Sequence, residues 1–187
     1  MTRPDAMPGA ADIAAARDVA LQELNALVAQ VQTDQIADLV AQFELERPVY
    51  VTGFGRSGLV SEAFAMRLMH LGYHVRVAGA TTTPGIGPGA LLLGISNSGD
   101  SYRVRHNVRV AAEAGATTAI ITAAEEVAHA DHLVRLPVGP GGVPTAQHGG
   151  TLFEQAALLL GDVICEAIRA VKQPAGELLD GRHANLL

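Results

Sequence analysis

Hydrophobic positions recur along this chain with two different periods, and the change from one to the other comes at Pro48. Before it, Ile13, Val19, Leu24, Leu27, Val28 and Val31 fall at roughly the helical interval, which predicts an amphipathic helix over 13–31. Thr33 is placed to cap a second helix. That helix sets Ile36, Leu39, Val40 and Phe43 on one stripe and ends near Arg47, because a proline disfavours helix in the residue before it. Beyond Pro48, short β-branched runs alternate with glycine turns and helical stretches. The runs "PVYVTG" (48–53), "YHVRVAG" (73–79), "ALLLGIS" (90–96), "ATTAIIT" (116–122) and "DHLVRLPV" (131–138) read as strands. Stretches 57–72, 101–115 and a short 125–130 read as helices, the last with Thr122 and Glu125 as a capping box. Strands separated in this way imply right-handed crossovers and a parallel sheet with helices on both faces.

After the glycine-rich, proline-punctuated loop 139–150 comes a long helix, "TLFEQAALLLGDVICEAIRAVK". Leu152, Phe153, Ala156, Leu159, Leu160, Val163, Ile164 and Ile168 give it an apolar face so wide that a subunit contact is expected to cover part of it, hence a homo-oligomer. The 187 residues therefore read as one domain: a helical arm (1–46), an αβα core (47–172) and a tail (173–187) without a clear period.

Charge and composition narrow the function. A net charge of -6 offers no general basic field, so neither nucleic acid nor an anionic membrane is an expected partner. Cys165 is the only cysteine, which rules out an intrachain disulfide and suits a reducing cytoplasm. The first residues lack the continuous apolar core of a signal peptide, and no stretch approaches the roughly 20 apolar residues of a membrane span.

In an open parallel sheet, ligands sit beyond the carboxyl ends of the strands, where helix N-termini present free backbone N–H groups. Two turns have the composition for this. The first, 53–58, spells G-x-G-x-x-G, yet the acidic residue expected about 20 positions on to hold a ribose is missing. The second, 96–101, supplies Ser96, Asn97, Ser98, Gly99, Asp100 and Ser101. A phosphomonoester suits such loops, although Ser57 and Ser101 can equally be plain helix caps. Arg103, Arg105, His106 and Arg109 follow the second turn and offer either help for an anion or a solvated helix face. Thr151 and Glu154 match a capping box, and spacing alone favours that role for Glu154 over chemistry. His148 and His183 have the side chain for acid–base work near neutral pH. His129 and His132 have no third ligand at suitable spacing, so no metal is expected there.

Taken together, "GRSGL" (55–59), "FAMRLMHLGYHV" (64–75), "TTTP" (81–84), "ISNSGDS" (95–101), "GTLFEQAALL" (150–159) and "RHANL" (182–186) resemble the 6-phospho-3-hexuloisomerases of the sugar isomerase (SIS) fold. The resemblance runs in order from about Arg47 to the C-terminus. It implies a three-layer αβα domain with a five-stranded parallel sheet, usually tetrameric. The implied reaction interconverts D-arabino-3-hexulose 6-phosphate and D-fructose 6-phosphate in the ribulose monophosphate route of formaldehyde fixation, alongside 3-hexulose-6-phosphate synthase and without metal or organic cofactor. It also implies that Glu154 is catalytic, reversing the preference from spacing, with His183 or His148 as a further acid–base group. Gly55, Arg56, Ser57 and residues Ser96 to Ser101 are implied to bind substrate.

Where the family usually reads Ser-Gly-Ser-Gly-Glu-Thr, this chain has Asn97 for the glycine, Asp100 for the glutamate and Ser101 for the threonine. Two other readings are weaker. A sugar-phosphate sensor of a transcription regulator needs a helix-turn-helix domain that the first ~45 residues are too short and acidic to supply. An arabinose 5-phosphate isomerase commonly carries a further domain, for which no sequence remains.

Overall fold

The computed structural model describes residues 7–172, 181–183 and 185; the other parts of the expected arm and tail, including Ala184 and Leu186 of "RHANL", lie outside them. Two helices, α1 (Ala10–Val28) and α2 (Thr33–Ala41), precede the alternating region. That region runs β1 (Val49–Gly53), α3 (Arg56–His70), β2 (Val75–Val77), β3 (Leu91–Ile95), α4 (Tyr102–Glu113), β4 (Thr117–Thr122), β5 (His132–Arg135) and α5 (Thr151–Lys172). The five strands are all parallel and ordered β2-β1-β3-β4-β5, with Val49 opposite Val75 on one side and Leu91 on the other. The expected αβα architecture is thus the observed one.

Strand alternation divides the core between two layers. Val49, Val51, Leu91, Leu93, Ile95, Ala119 and Ile121 pack into the larger cluster with residues of α2, α3 and α5. Tyr50, Leu92 and Ile120, one residue out of phase, pack against Val104, Val108 and Ala111 of α4. Each fully buried leucine or isoleucine contributes about 1.5–3 kcal/mol of transfer free energy, enough to fix the register. Because α3 and α4 leave β1 and β3 on opposite faces, a crevice opens between those strands at their carboxyl ends.

Several local expectations are corrected. Thr33 is the first residue of α2 rather than its cap, and α2 ends at Ala41 instead of near Arg47. Residues 42–47 form turns there, with Phe43 buried and Arg47 donating to Gln42, Gly89, Ala90 and Thr117. The short helix over 125–130 does not form. His129 adopts a left-handed φ of 65°, Glu125 pairs with Arg135, and Thr122 Oγ1 accepts the Ala124 N–H in a tight turn. Six residues with two such anchors cannot repay helix nucleation.

The wide face of α5 is mostly covered within the chain, since Leu152, Phe153, Ala156, Leu160, Ile164 and Ile168 are all buried. Leu159 and Val163 remain exposed, as do Leu158 on the same helix and Leu59 and Met66 on α3. The arm is held less firmly: Leu27 is buried and Leu24 and Val28 pack against the core, while Ile13 and Leu21 lie in solvent.

Candidate functional site

The turn after β1 is built by glycine sterics. A Cβ on Gly53 would stand 2.5 Å from the Ser57 carbonyl oxygen and 2.8 Å from the Gly58 nitrogen, so only glycine lets the chain fold back this tightly. Gly55, at φ 58° and ψ -135°, is the N-cap residue of α3. Ser57 lies inside the first turn and is buried, so it is not the cap that its position suggested. These demands account for the G-x-G-x-x-G pattern without a dinucleotide.

The turn after β3 is held at both ends. Ser96 is buried and donates its N–H to the Ile121 carbonyl, and the Asn97 carbonyl accepts from the Ala123 N–H and the Thr122 hydroxyl. Gly99 has φ 67°, and a Cβ there would meet Val127 Cγ2 at 2.6 Å. Ser98 Oγ accepts the Asp100 N–H. The Asp100 carboxylate is engaged by Arg105 at 2.5 Å in solvent. Ser101 occupies the N-cap position of α4 but makes no capping bond, and its Oγ is buried without a partner among the described residues. A buried hydroxyl left unpaired at a helix N-terminus costs stability unless something else binds it.

Glu154 does not cap α5. Its N–H donates to the Gly150 carbonyl, which makes Gly150 the residue that opens the helix, and the Thr151 hydroxyl turns back to the His148 carbonyl at 2.7 Å. The carboxylate is thereby free for tertiary contacts. Oε2 accepts from Arg56 Nε, and the Glu154 side chain is 13% exposed against 64% for Arg56. The expectation from spacing fails because the helix opens one residue earlier, so that the Gly150 carbonyl accepts the Glu154 N–H in place of the Thr151 hydroxyl. On its other side, Glu154 Oε1 and the Asn97 side-chain amide lie against Gly150, 3.5 Å and 3.7 Å from where its Cβ would stand. Asn97 therefore belongs to the same polar cluster as the carboxylate.

The histidines separate from it. His148 is exposed on the approach to α5. The His183 ring lies tilted against that of His70, the last residue of α3, with centroids 4.4 Å apart. Since Arg56 begins that helix of 15 residues, His183 lies roughly 20 Å from Glu154 in its own chain. Of the arginine group, Arg105 and Arg109 pair with Asp100 and Glu113, and His106 stacks on Tyr102. Arg103 reaches back over the Phe54 ring, 5.4 Å from its centroid, and joins the two turns. Arg103 and Phe54 line a small cleft with Gly53, Gly55 and Gly58.

Sequence reasoning did not single out Phe54 or Gly150. The signal for Gly150 was its place directly before the helix start.

Three helix N-termini meet here: α3 and α4 through Phe54 and Arg103, and α3 and α5 through Arg56 and Glu154. Each carries about half a positive charge, so a chain with a net charge of -6 concentrates positive potential at this one edge of its sheet. An anion with hydrogen-bond acceptors on several sides fits it. Among the described residues no three His, Cys, Asp or Glu side chains are grouped to hold a metal ion, and no helix is long and apolar enough to cross a membrane.

Comparison with known proteins agrees with this geometry. The SIS domain model matches residues 43–148. A 3-hexulose-6-phosphate isomerase of Mycobacterium gastri is 37% identical over 171 residues, covering 88% of this chain and 86% of its own. Another from Bacillus subtilis (strain 168) is 32% identical over 177 residues, covering 89% and 94%. A solved hypothetical protein of Methanococcus jannaschii, whose structure infers a function of 3-hexulose-6-phosphate isomerase, superposes with a TM-score of 0.82. It is 27% identical, over 92% of this chain and 99% of that one.

Proposed function

Because the chain belongs to the SIS domain family, beside the 3-hexulose-6-phosphate isomerases, we propose that it interconverts D-arabino-3-hexulose 6-phosphate and D-fructose 6-phosphate. The observation that carries the reading is the meeting of one carboxylate, Glu154, with two serine turns at helix N-termini. Moving a ketone from C3 to C2 needs a base that removes the C2 proton and an acid that returns one to C3, with a 2,3-enediol between. Glu154 does both, taking the proton on a carboxylate oxygen and releasing it to the neighbouring carbon. As the enediolate forms, negative charge grows on the former C3 carbonyl oxygen, and Arg56 stabilises it there.

The 6-phosphate is held by Gly55, Ser57, Ser96, Ser98, Gly99 and Ser101 at the starts of α3 and α4. The Asn97 amide faces the sugar beside Glu154. Asp100, engaged by Arg105, shapes the turn. His148 is a secondary proton carrier at the mouth, and His183, remote within its own chain, serves a site only from a second copy. No cofactor takes part.

The same reading extends to assembly and setting. The whole of 1–187 acts as one SIS domain with its arm and tail, and the exposed Leu59, Met66, Leu158, Leu159 and Val163 on α3 and α5 meet other copies in a tetramer. The enzyme works in the cytoplasm on the product of a 3-hexulose-6-phosphate synthase, in the ribulose monophosphate route.

Two measurements test this. Purified protein supplied with 3-hexulose 6-phosphate forms fructose 6-phosphate, whereas arabinose 5-phosphate yields at most a trace of ribulose 5-phosphate; the reverse preference sinks the assignment. In Ser101→Ala the KM rises about tenfold, the worth of one hydrogen bond to a charged group. Its melting temperature stays level or rises, because the substitution removes a buried hydroxyl that has no partner among the described residues. A fall in stability with unchanged KM would make Ser101 a structural cap after all.

A further inference from the structure

Glu154 sits in the first turn of α5, which follows a segment with little stiffness of its own. Gly139, Gly141 and Gly149 all have positive φ and open space around their α-carbons, and Gly150 follows directly. Val143 is buried and bridges to Val138, which fixes the first half of the loop. For the second half, between Val143 and α5, the hydrogen bonds to an element other than α5 itself run, among the described residues, to one side chain of the arm. Glu23, toward the C-terminal end of α1, accepts the Ala146 N–H at 2.7 Å on Oε1, and the Thr145 hydroxyl at 2.7 Å and Gln147 Nε2 at 3.0 Å on Oε2. Thr145 Oγ1 in turn accepts the Gln147 N–H at 3.0 Å, closing the turn on itself.

We propose that Glu23 is a positioning residue for the isomerisation: it latches 145–147 to the arm and so fixes where α5 begins and where the Glu154 carboxylate points. The inference rests on the proposed function of Glu154. The path is short and continuous. Gln147 leads to His148, whose carbonyl takes the Thr151 hydroxyl, and then to Gly150, whose carbonyl takes the Glu154 N–H. Each link is a covalent step along the chain or a hydrogen bond to a backbone carbonyl, so a shift at 145–147 is carried to the first turn of α5. The three donors, the Ala146 N–H foremost, hold the Glu23 carboxyl below its ordinary range, which keeps it an ionised acceptor at neutral pH. Leu24, Leu27 and Val28 seat the same turns of α1 on the core by apolar packing, whereas the Glu23 carboxylate is engaged by the polar groups of 145–147. A general base displaced by about 1 Å loses on the order of tenfold to a hundredfold in rate without losing the phosphate grip.

The test combines steady-state kinetics with amide hydrogen exchange on the full chain. In Glu23→Ala, kcat falls about tenfold, KM stays within twofold, and exchange across 145–154 accelerates while that of β3 and β4 is unchanged. Glu23→Asp, which keeps the charge on a shorter stem, recovers part of the rate. In the Glu154→Gln background, Glu23→Ala adds no further loss, because the residue acts through Glu154. Should Glu23→Ala fail to fold, Gln147→Ala and Thr145→Val cut the latch from the loop side, with the same split between kcat and KM.

A folded Glu23→Ala protein with full kcat overturns the proposal, whether or not its loop exchanges faster, as does a rate loss that persists undiminished on top of Glu154→Gln. The two readings fail separately: full activity in Glu154→Gln sinks the catalytic assignment, whereas an inactive Glu154→Gln beside a fully active Glu23→Ala sinks only the latch.

Discussion

Replacing Glu154 with glutamine lowers kcat by about three orders of magnitude, within the range by which positioned acid–base groups act. The amide is nearly the same shape, so the start of α5 and its seat against Gly150 and Asn97 are kept, but it cannot accept a proton from carbon at neutral pH. On the proposed function the phosphate is held by other residues, so KM stays within a few fold, and that split marks a group acting on the transition state. Stability changes little. The ion pair that is lost joins a largely buried carboxylate to an Arg56 side chain that is 64% exposed, and an arginine so exposed regains its hydration when released. Denaturation and turnover measured on the same preparation separate the two effects. A large fall in stability accompanied by a proportional loss of rate would mean that the residue holds the fold.

The largest loss of stability is expected from Gly53→Ala. The added methyl meets the Ser57 carbonyl oxygen at 2.5 Å and the Gly58 nitrogen at 2.8 Å, and both are backbone atoms that no rotamer change can move aside. Helix α3 must therefore back away from β1, opening the α3–β1 packing around Val60 and Phe64, at a cost of about 2–4 kcal/mol. For a chain of this size that lowers the melting temperature by roughly 5–15 °C. The same shift carries Ser57 and Arg56 out of register with Glu154, so kcat/KM falls even where the protein remains folded. Gly87→Ala is the matched control: its α-carbon has open space and its φ is not positive, so the thermal transition stays within about a degree of wild type. Equal transitions for the two variants would remove the steric explanation of the G-x-G-x-x-G turn.

The layers and most of the site could be read from the sequence because both rest on short-range rules. Alternation in "PVYVTG" and "ALLLGIS" places Val49, Val51, Leu91 and Leu93 on one face. The polar turns after these strands had to lie at the same sheet edge once all strands ran parallel. What spacing misjudged depended on tertiary competition. Thr151 and Glu154 stand at capping distance, yet the Gly150 carbonyl and Arg56 outbid each other's alternatives at the two ends of the same turn. Thr122 and Glu125 likewise look like a cap, but Glu125 goes to Arg135 and the Thr122 hydroxyl to a turn. Asn97 reads as an intruder in the serine-loop pattern of the family the sequence resembles, and only the packing of Gly150 shows its amide beside the carboxylate. Glu23, 131 positions before Glu154, carries no local signal at all; its role depends on α1 lying across the loop, which no period in the sequence encodes.

The central claim is that this site forms an enediol between C2 and C3 of a phosphorylated hexulose, and fructose 6-phosphate in deuterium oxide tests it most directly. With the wild-type protein, nuclear magnetic resonance should show deuterium entering C3 of the recovered fructose 6-phosphate, with 3-hexulose 6-phosphate appearing alongside and C1 left unlabelled, and Glu154→Gln should show neither. Deuterium at C1, or a sugar phosphate recovered without label and without hexulose, would contradict the account.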